Sequence, residues 1–300
     1  MNSTNNQSIG FDPRPYKVST ITATGGVGAL IDLDIFYNNV ELATIDDTAA
    51  LGSEGFIYIE FGKKKSETVF RGYHKKLEAT RRKKKESKRF DNQVTVILKT
   101  INGLTGLPQH VNVKVFKNGN IQMTGLKCVE QGKSVVDFVI KQLHTIHKNG
   151  FSSVVSNQPD TLTNNDYRIR LINSDFRIGI EIKRDKLNKL VQDTYNLLSS
   201  FEPCIYPGVK IQYFWNMSKP KQDGVCYCSG YCSGKGCGDG EGQCKKITIA
   251  AFQSGSVIIT GAQTHVQIES AYEFICKIIK QHETELRKVL PALLLEAEEV

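Results

Sequence analysis

"VFKNGNIQMTGLK", residues 115–127, and "AFQSGSVIITGAQ", residues 251–263, lie 136 positions apart and follow one pattern. Each gives an aromatic, a polar turn closed by glycine, an apolar run, then Thr-Gly. Phe116, Gly119, Thr124 and Gly125 map onto Phe252, Gly255, Thr260 and Gly261. The offset continues without a gap into the following segment, where Phe138, Val139 and Leu143 map onto Phe274, Ile275 and Ile279. Two long copies cannot make a solenoid, which stacks many short units. They predict a pseudo-symmetric body with two matching halves.

The rest of the chain supports that division. In the first half, "YKVSTITAT" (16–24), "GFIYIEFG" (55–62), "QVTVILK" (93–99), "VNVKVF" (111–116) and "NIQMTGL" (120–126) read as strands. Residues 31–42 and 128–148 read as helices. In the second half, 167–182, 208–215 and 246–252 read as strands, and 184–200 and the stretch from about 266 as helices. The expected organisation is a tail at 1–14, a first repeat at 15–148, a polar linker at 149–165, a second repeat at 166–285 and a helical extension at 286–300 kinked at Pro291. Antiparallel strands with helices gathered on one side give an α+β fold, with the other side of the sheet open.

Alternation places Phe116, Asn118, Asn120, Gln122 and Thr124 on that open face, with Phe252, Ser254, Ser256, Ile258 and Thr260 as their counterparts. Ile121, Met123, Val257 and Ile259 turn toward the helices. The open face is thus small and polar, with an aromatic at each turn. It is either an ordinary half-solvated sheet or a surface for a quasi-symmetric partner. A DNA minor groove fits the second reading, because its edges suit Thr, Asn and Gln and its base steps admit apolar wedges.

Composition narrows the class. Forty percent of the 300 residues are hydrophobic, enough for a packed core. The polar start has no signal-peptide core, and no run reaches the roughly 20 apolar residues of a membrane helix. The chain is expected to be soluble and intracellular. Residues 63–89 hold thirteen Lys and Arg against three Glu, a net of +10, which leaves −2 for the rest of the +8 chain. That segment is either a solvated loop or localisation signal, or an arm that seeks phosphates.

"SSFEPCIYPGVKIQ" (199–212) followed by "FQSGSVIITGAQ" resembles the second repeat of the TATA-box-binding protein family, and "KRF" (88–90) with "FKNGNIQMTG" (116–125) resembles the first. The basic and cysteine-rich stretches are more similar to members from large DNA viruses than to nuclear ones. The resemblance implies a saddle, one continuous curved ten-stranded antiparallel sheet with helices on its convex side. It implies a monomer that binds and bends A·T-rich promoter DNA through the minor groove, then recruits a factor resembling transcription factor IIB and RNA polymerase. The compartment would be the nucleus, or the host cytoplasm or virion for a viral protein. By the same resemblance Phe90, Phe116, Tyr206 and Phe252 are wedges, with Phe56 a substitute for Phe90. Thr124 and Thr260, with Gln122 and Ile258 beside them, contact the groove. Lys99 and Lys210 face phosphates, Glu202 belongs to the docking loop, and Tyr167 or its neighbours stand where family members place paired asparagines at the centre of the groove. Related folds also serve as accessory domains of nucleic-acid enzymes or as protein-binding modules. No acid–base pair stands out, since His144 and His147 lie on a surface-leaning helix and Asp46 and Asp47 in a loop, so no enzyme is expected.

"CYCSGYCSGKGCGDGEGQC", residues 226–244, falls within an insertion at 221–246 that the resemblance leaves unexplained. Cys226, Cys228, Cys232, Cys237 and Cys244 offer more thiols than a tetrahedral zinc site needs, so zinc binding and a flexible loop of free thiols are the two readings.

Overall fold

A computed structural model describes residues 10–43, 54–62, 68–72, 92–103, 105–219 and 221–288. Phe90, Asp46, Asp47, most of the basic segment and most of the C-terminal extension lie outside the described residues. The chain divides into two compact units, the first spanning Thr20–Arg170 and the second joining Met1–Ser19 to Leu171–Val300.

In the first unit, β1 (Lys17–Gly26), β2 (Gly55–Gly62), β3 (Thr68–Gly72), β4 (Gln93–Ile101), β5 (Pro108–Phe116) and β6 (Asn120–Leu126) lie in the order β3-β2-β4-β5-β6-β1, with antiparallel pairings throughout. Strand β3 falls inside the basic segment read as a loop. Its Val69 pairs with Phe61 and its Phe70 with Glu60, so the chain there extends a ladder. Val94, Val96, Leu98, Val113, Val115, Ile121 and Met123 form the buried side of this sheet. Helix α1 (Leu33–Asn39) contributes Phe36 to the core, and α2 (Val129–Lys148) contributes Val135, Val136, Val139, Leu143 and Ile146. The spacing of those α2 residues is the helical stripe seen in the sequence. Asp32 caps α1 by accepting from the Ile35 N–H at 2.9 Å, a bond worth about 1 kcal/mol.

In the second unit, β7 (Asn165–Arg177, shared at its start with the first), β8 (Ser199–Ser200), β9 (Val209–Trp215), β10 (Lys245–Ala251) and β11 (Ser256–Ala262) run in the order β7-β11-β10-β9-β8. Ile211, Tyr213, Ile247, Ile249, Val257 and Ile259 are buried. So are Leu187, Leu190 and Val191 of α3 (Arg184–Asp193) and Ile268, Ala271, Ile275, Ile278 and Ile279 of α4 (His265–Gln281). Helix α3 stops at Asp193, short of the expected Ser200. Ser199 and Ser200 instead pair with Ile211 and Lys210 at the sheet edge. A four-residue α5 (Glu283–Leu286) follows.

The same contacts recur at matched positions of the two units. Gly119 and Gly255 have φ of 80° and 75°, and a Cβ on either would lie 2.1 Å from a carbonyl oxygen, of Ala29 and Ile180 respectively. Gln131 accepts from the Lys127 N–H at 2.9 Å, and Gln267 accepts from the Gln263 N–H at 2.7 Å. No helix among the described residues is long and apolar enough to cross a membrane.

Candidate nucleic-acid interface

The open side of the first unit is built in two cross-strand rows. Thr24, Gln122, Lys114 and Thr95 stand opposite one another across β1, β6, β5 and β4, and Thr22, Thr124, Asn112 and Ile97 form the next row. Gln122 and Thr124 therefore sit where alternation placed them, among hydroxyl and amide groups. Lys99 is on the same side of β4, half-buried and opposite His110. The outer end of the face is covered. Tyr58 and Ile97 are 2% and 4% exposed and pack with Ile57 and Ala43 in a cluster of their own.

Phe116 stands at the β5–β6 turn, half-buried, between two clefts of about 510 and 350 Å³. The larger is lined by Thr24, Asn118, Asn120, Gln122, Arg168 and Arg170, the smaller by Leu30, Asn92 and Lys117. Arg170 donates through Nε to Thr24 Oγ1 at 2.8 Å. Arg170 was missed from the sequence and Arg168 entered only as a neighbour of Tyr167, although "YRIR" sets the two arginines on one side of a strand. Tyr167, on the alternate side, does not reach this face. Its hydroxyl donates to the Val129 carbonyl at 2.9 Å, beside Gly132 of α2, and burial pushes its pKa up to about 12. Phe56 is not a wedge either, being 1% exposed and meeting Phe138 edge-on at 5.0 Å between ring centroids.

In the second unit, Thr260, Thr248 and Gln212 form one row, and Asp175, Ile258, Ala250 and Lys210 the next. Thr260 donates to Asn173 Oδ1. Lys17 lies 3.5 Å from the Asp175 carboxylate, which also accepts from Ser19. Tyr206 and Phe252 pack with centroids 5.6 Å apart, and Lys210 Nζ stands 4.1 Å from the Tyr206 centroid. Two constraints fix the Tyr206 loop: its backbone N–H donates to Glu202 O at 2.8 Å, and Arg184 donates to the Pro207 carbonyl. Two predicted wedges are thus brought together in this unit, carrying a cation over one ring.

The insertion places four of its five cysteines in one cluster. The sulfurs of Cys226, Cys228, Cys232 and Cys244 lie within 4.8 Å of one another, a donor set able to hold a metal ion. Cys237 is outside it and exposed, its carbonyl accepting from Gln267 Nε2 at 3.2 Å. Burial pushes the Cys244 thiol up to about 12. Burial raises Cys232 as well, but the N–H groups of Gly234 and Cys244 and the thiols of Cys244 and Cys226 together outweigh it and lower that thiol.

Residues 166–282 match the family model described as transcription factor TFIID, or TATA-binding protein. A "TATA-box-binding protein-like" protein of Acanthamoeba polyphaga mimivirus is 32% identical over 284 residues, covering 92% of this chain and 67% of that protein. The TATA-box-binding protein of Methanococcus maripaludis is 22% identical over 176 residues, 59% of this chain and 72% of that one. The solved TBP of Methanococcus jannaschii aligns with a TM-score of 0.45 and 16% identity, covering 89% of this chain and 99% of its own.

Proposed function

The chain belongs to the TATA-box-binding protein family, and on that premise we propose that it is a transcription initiation factor that binds and bends A·T-rich DNA through the minor groove. The observation that carries this reading is the Tyr206–Phe252 pair, set with Lys210 at the end of the row of Asp175, Ile258 and Ala250, beside the polar row of Thr260, Thr248 and Gln212, and held by backbone contacts. An A·T minor groove offers only acceptors, so Thr hydroxyls and Asn or Gln amides are suitable donors. A rigid aromatic pair at the end of such a row can enter a base step and unstack it. Phe116 has the matching place in the first unit, and the two units are the products of an internal duplication. Lys99, Lys210, Arg168 and Arg170 supply positive charge for the phosphates. The Glu202–Tyr206 loop, with Ile205 83% exposed, faces a factor resembling IIB, which brings the polymerase. The protein acts as a monomer on DNA and catalyses no reaction.

Asp175 favours a second reading, a protein-interaction module of the same fold, because a carboxylate on the open face opposes a phosphate backbone. Energy transfer between dyes at the ends of an A·T-rich duplex separates the two. The wild-type chain should bend this duplex and prefer it to random sequence. Replacing Phe116 and Phe252 by Ala should abolish the bend and weaken binding by about tenfold or more, the scale of lost base–aromatic stacking. Unchanged bending in the double variant refutes the wedges, and equal weak binding to all duplexes favours the module.

A further inference from the structure

We propose that Cys226, Cys228, Cys232 and Cys244 bind one zinc ion as a closed tetrathiolate site, and that the ion fixes the insertion against the outer end of the second unit's open face. The inference is independent of the DNA-binding reading, since it rests on the thiols and on the path of the chain between β9 and β10.

The sulfur positions suit a tetrahedron. A zinc–sulfur distance of about 2.3 Å sets neighbouring sulfurs about 3.8 Å apart. Cys226 and Cys228 lie 3.8 and 3.5 Å from Cys244. A disulfide needs about 2.0 Å and would engage only two of the four sulfurs at a time. The surroundings suit thiolates. The Gly242 N–H points at Cys228 Sγ from 3.2 Å and Asn216 Nδ2 at Cys244 Sγ from 3.4 Å, donors of the kind that orient metal-bound sulfur. Soft sulfur donors exclude the hard cations, and four protein ligands leave no open position for a substrate. Each thiol gives up its proton as the ion binds.

The insertion also needs a clasp. Among its described residues no helix or strand forms between Trp215 and Lys245, and long stretches without secondary structure are uncommon in compact domains. Its backbone is nevertheless held at both sides of the sheet end. Gly234 O accepts from the Lys246 N–H at 2.8 Å, and a Cβ on Gly234 would meet Lys246 Cβ at 2.7 Å and the Phe214 ring at 2.9 Å. Phe214 and Lys246 are cross-strand partners on the open side. Gly238 meets Trp215 in the same way. The ion would close this wrap at its base and set where the open face ends.

The test is metal analysis of the full chain purified in reducing buffer without chelator. About one equivalent of zinc is expected, retained by Cys237→Ser and reduced to about a tenth or less by Cys226→Ser/Cys232→Ser. Because those replacements could disturb folding, the wild-type chain is also alkylated before and after zinc is removed with a chelator, and the modified cysteines are mapped by mass. Protection of the four cluster thiols, lost with the ion while Cys237 reacts throughout, supports the site. Less than about half an equivalent, equal loss in Cys237→Ser, iron in place of zinc, or four thiols that react regardless of the chelator each overturn it.

Discussion

Strands β4 and β5 of the first unit are joined by a short turn at 102–107, whereas β9 and β10 of the second are joined by residues 216–244. The two hairpins share a ladder but not a connection. Chain-closure entropy rises only slowly with loop length, so a sheet end tolerates such an insertion. What it does not supply is a core for the insertion. The short turn is held by its own backbone, the Gly106 N–H donating to Asn102 O at 2.8 Å. The long one leans on aromatic rings of β9 and on its gathered thiols. A frame shared by the two units and connections that differ between them are therefore stabilised by different means.

The largest expected effect tests the frame. Gly119→Ala and Gly255→Ala should each destabilise the protein by about 3 kcal/mol or more, because both force a Cβ against a carbonyl at positive φ. Urea unfolding of the two variants measures this. If one is tolerated, the turns are not equivalent.

A smaller contrast tests the rims. Gly238→Ala would put a Cβ 2.2 Å from the Trp215 ring at a φ of 91°, so a loss of about 2 kcal/mol is expected. Trp215 is the lone tryptophan, and its fluorescence should shift as the insertion is pushed away. Gly103→Ala in the short turn meets nothing within 4 Å and should stay within about 0.5 kcal/mol. Equal effects at both sites would remove the distinction between a leaning insertion and a self-held turn.

The smallest effect concerns charge at the insertion rim. The Lys219 ammonium, 2.9 Å away, and the Ser229 N–H lower the Glu241 carboxyl to about 2. A depressed carboxyl contributes its stabilisation above its ordinary value of 4.5 and loses it as pH falls through about 2. With the Glu241 carboxylate open to solvent, the pair should contribute little, and Glu241→Gln should barely move the midpoint of unfolding at neutral pH. Titration of the carboxyl carbon by NMR checks the shift, and a midpoint near 4.5 would contradict the contact.

Period and offset alone told which residues form strands and which side of each strand meets the helices. Alternation works when a strand is unbroken, so Gln122, Thr124, Ile258 and Thr260 fell on the open side without any knowledge of partners. The glycine turns were legible for the same reason, since a polar turn closed by glycine between apolar runs has few solutions. Tertiary structure decided what local pattern could not. A register shift between Phe56 and Tyr58 turns Phe56 toward α2, where Phe138 meets it, and a one-residue shift of this kind leaves no mark in a run as apolar as "GFIYIEFG". Tyr167 and the arginines beside it were separated by which side of β7 meets α2. Five cysteines became four because the path of a glycine-rich loop is set by the rings it leans on, and spacing along the chain does not carry distances through space.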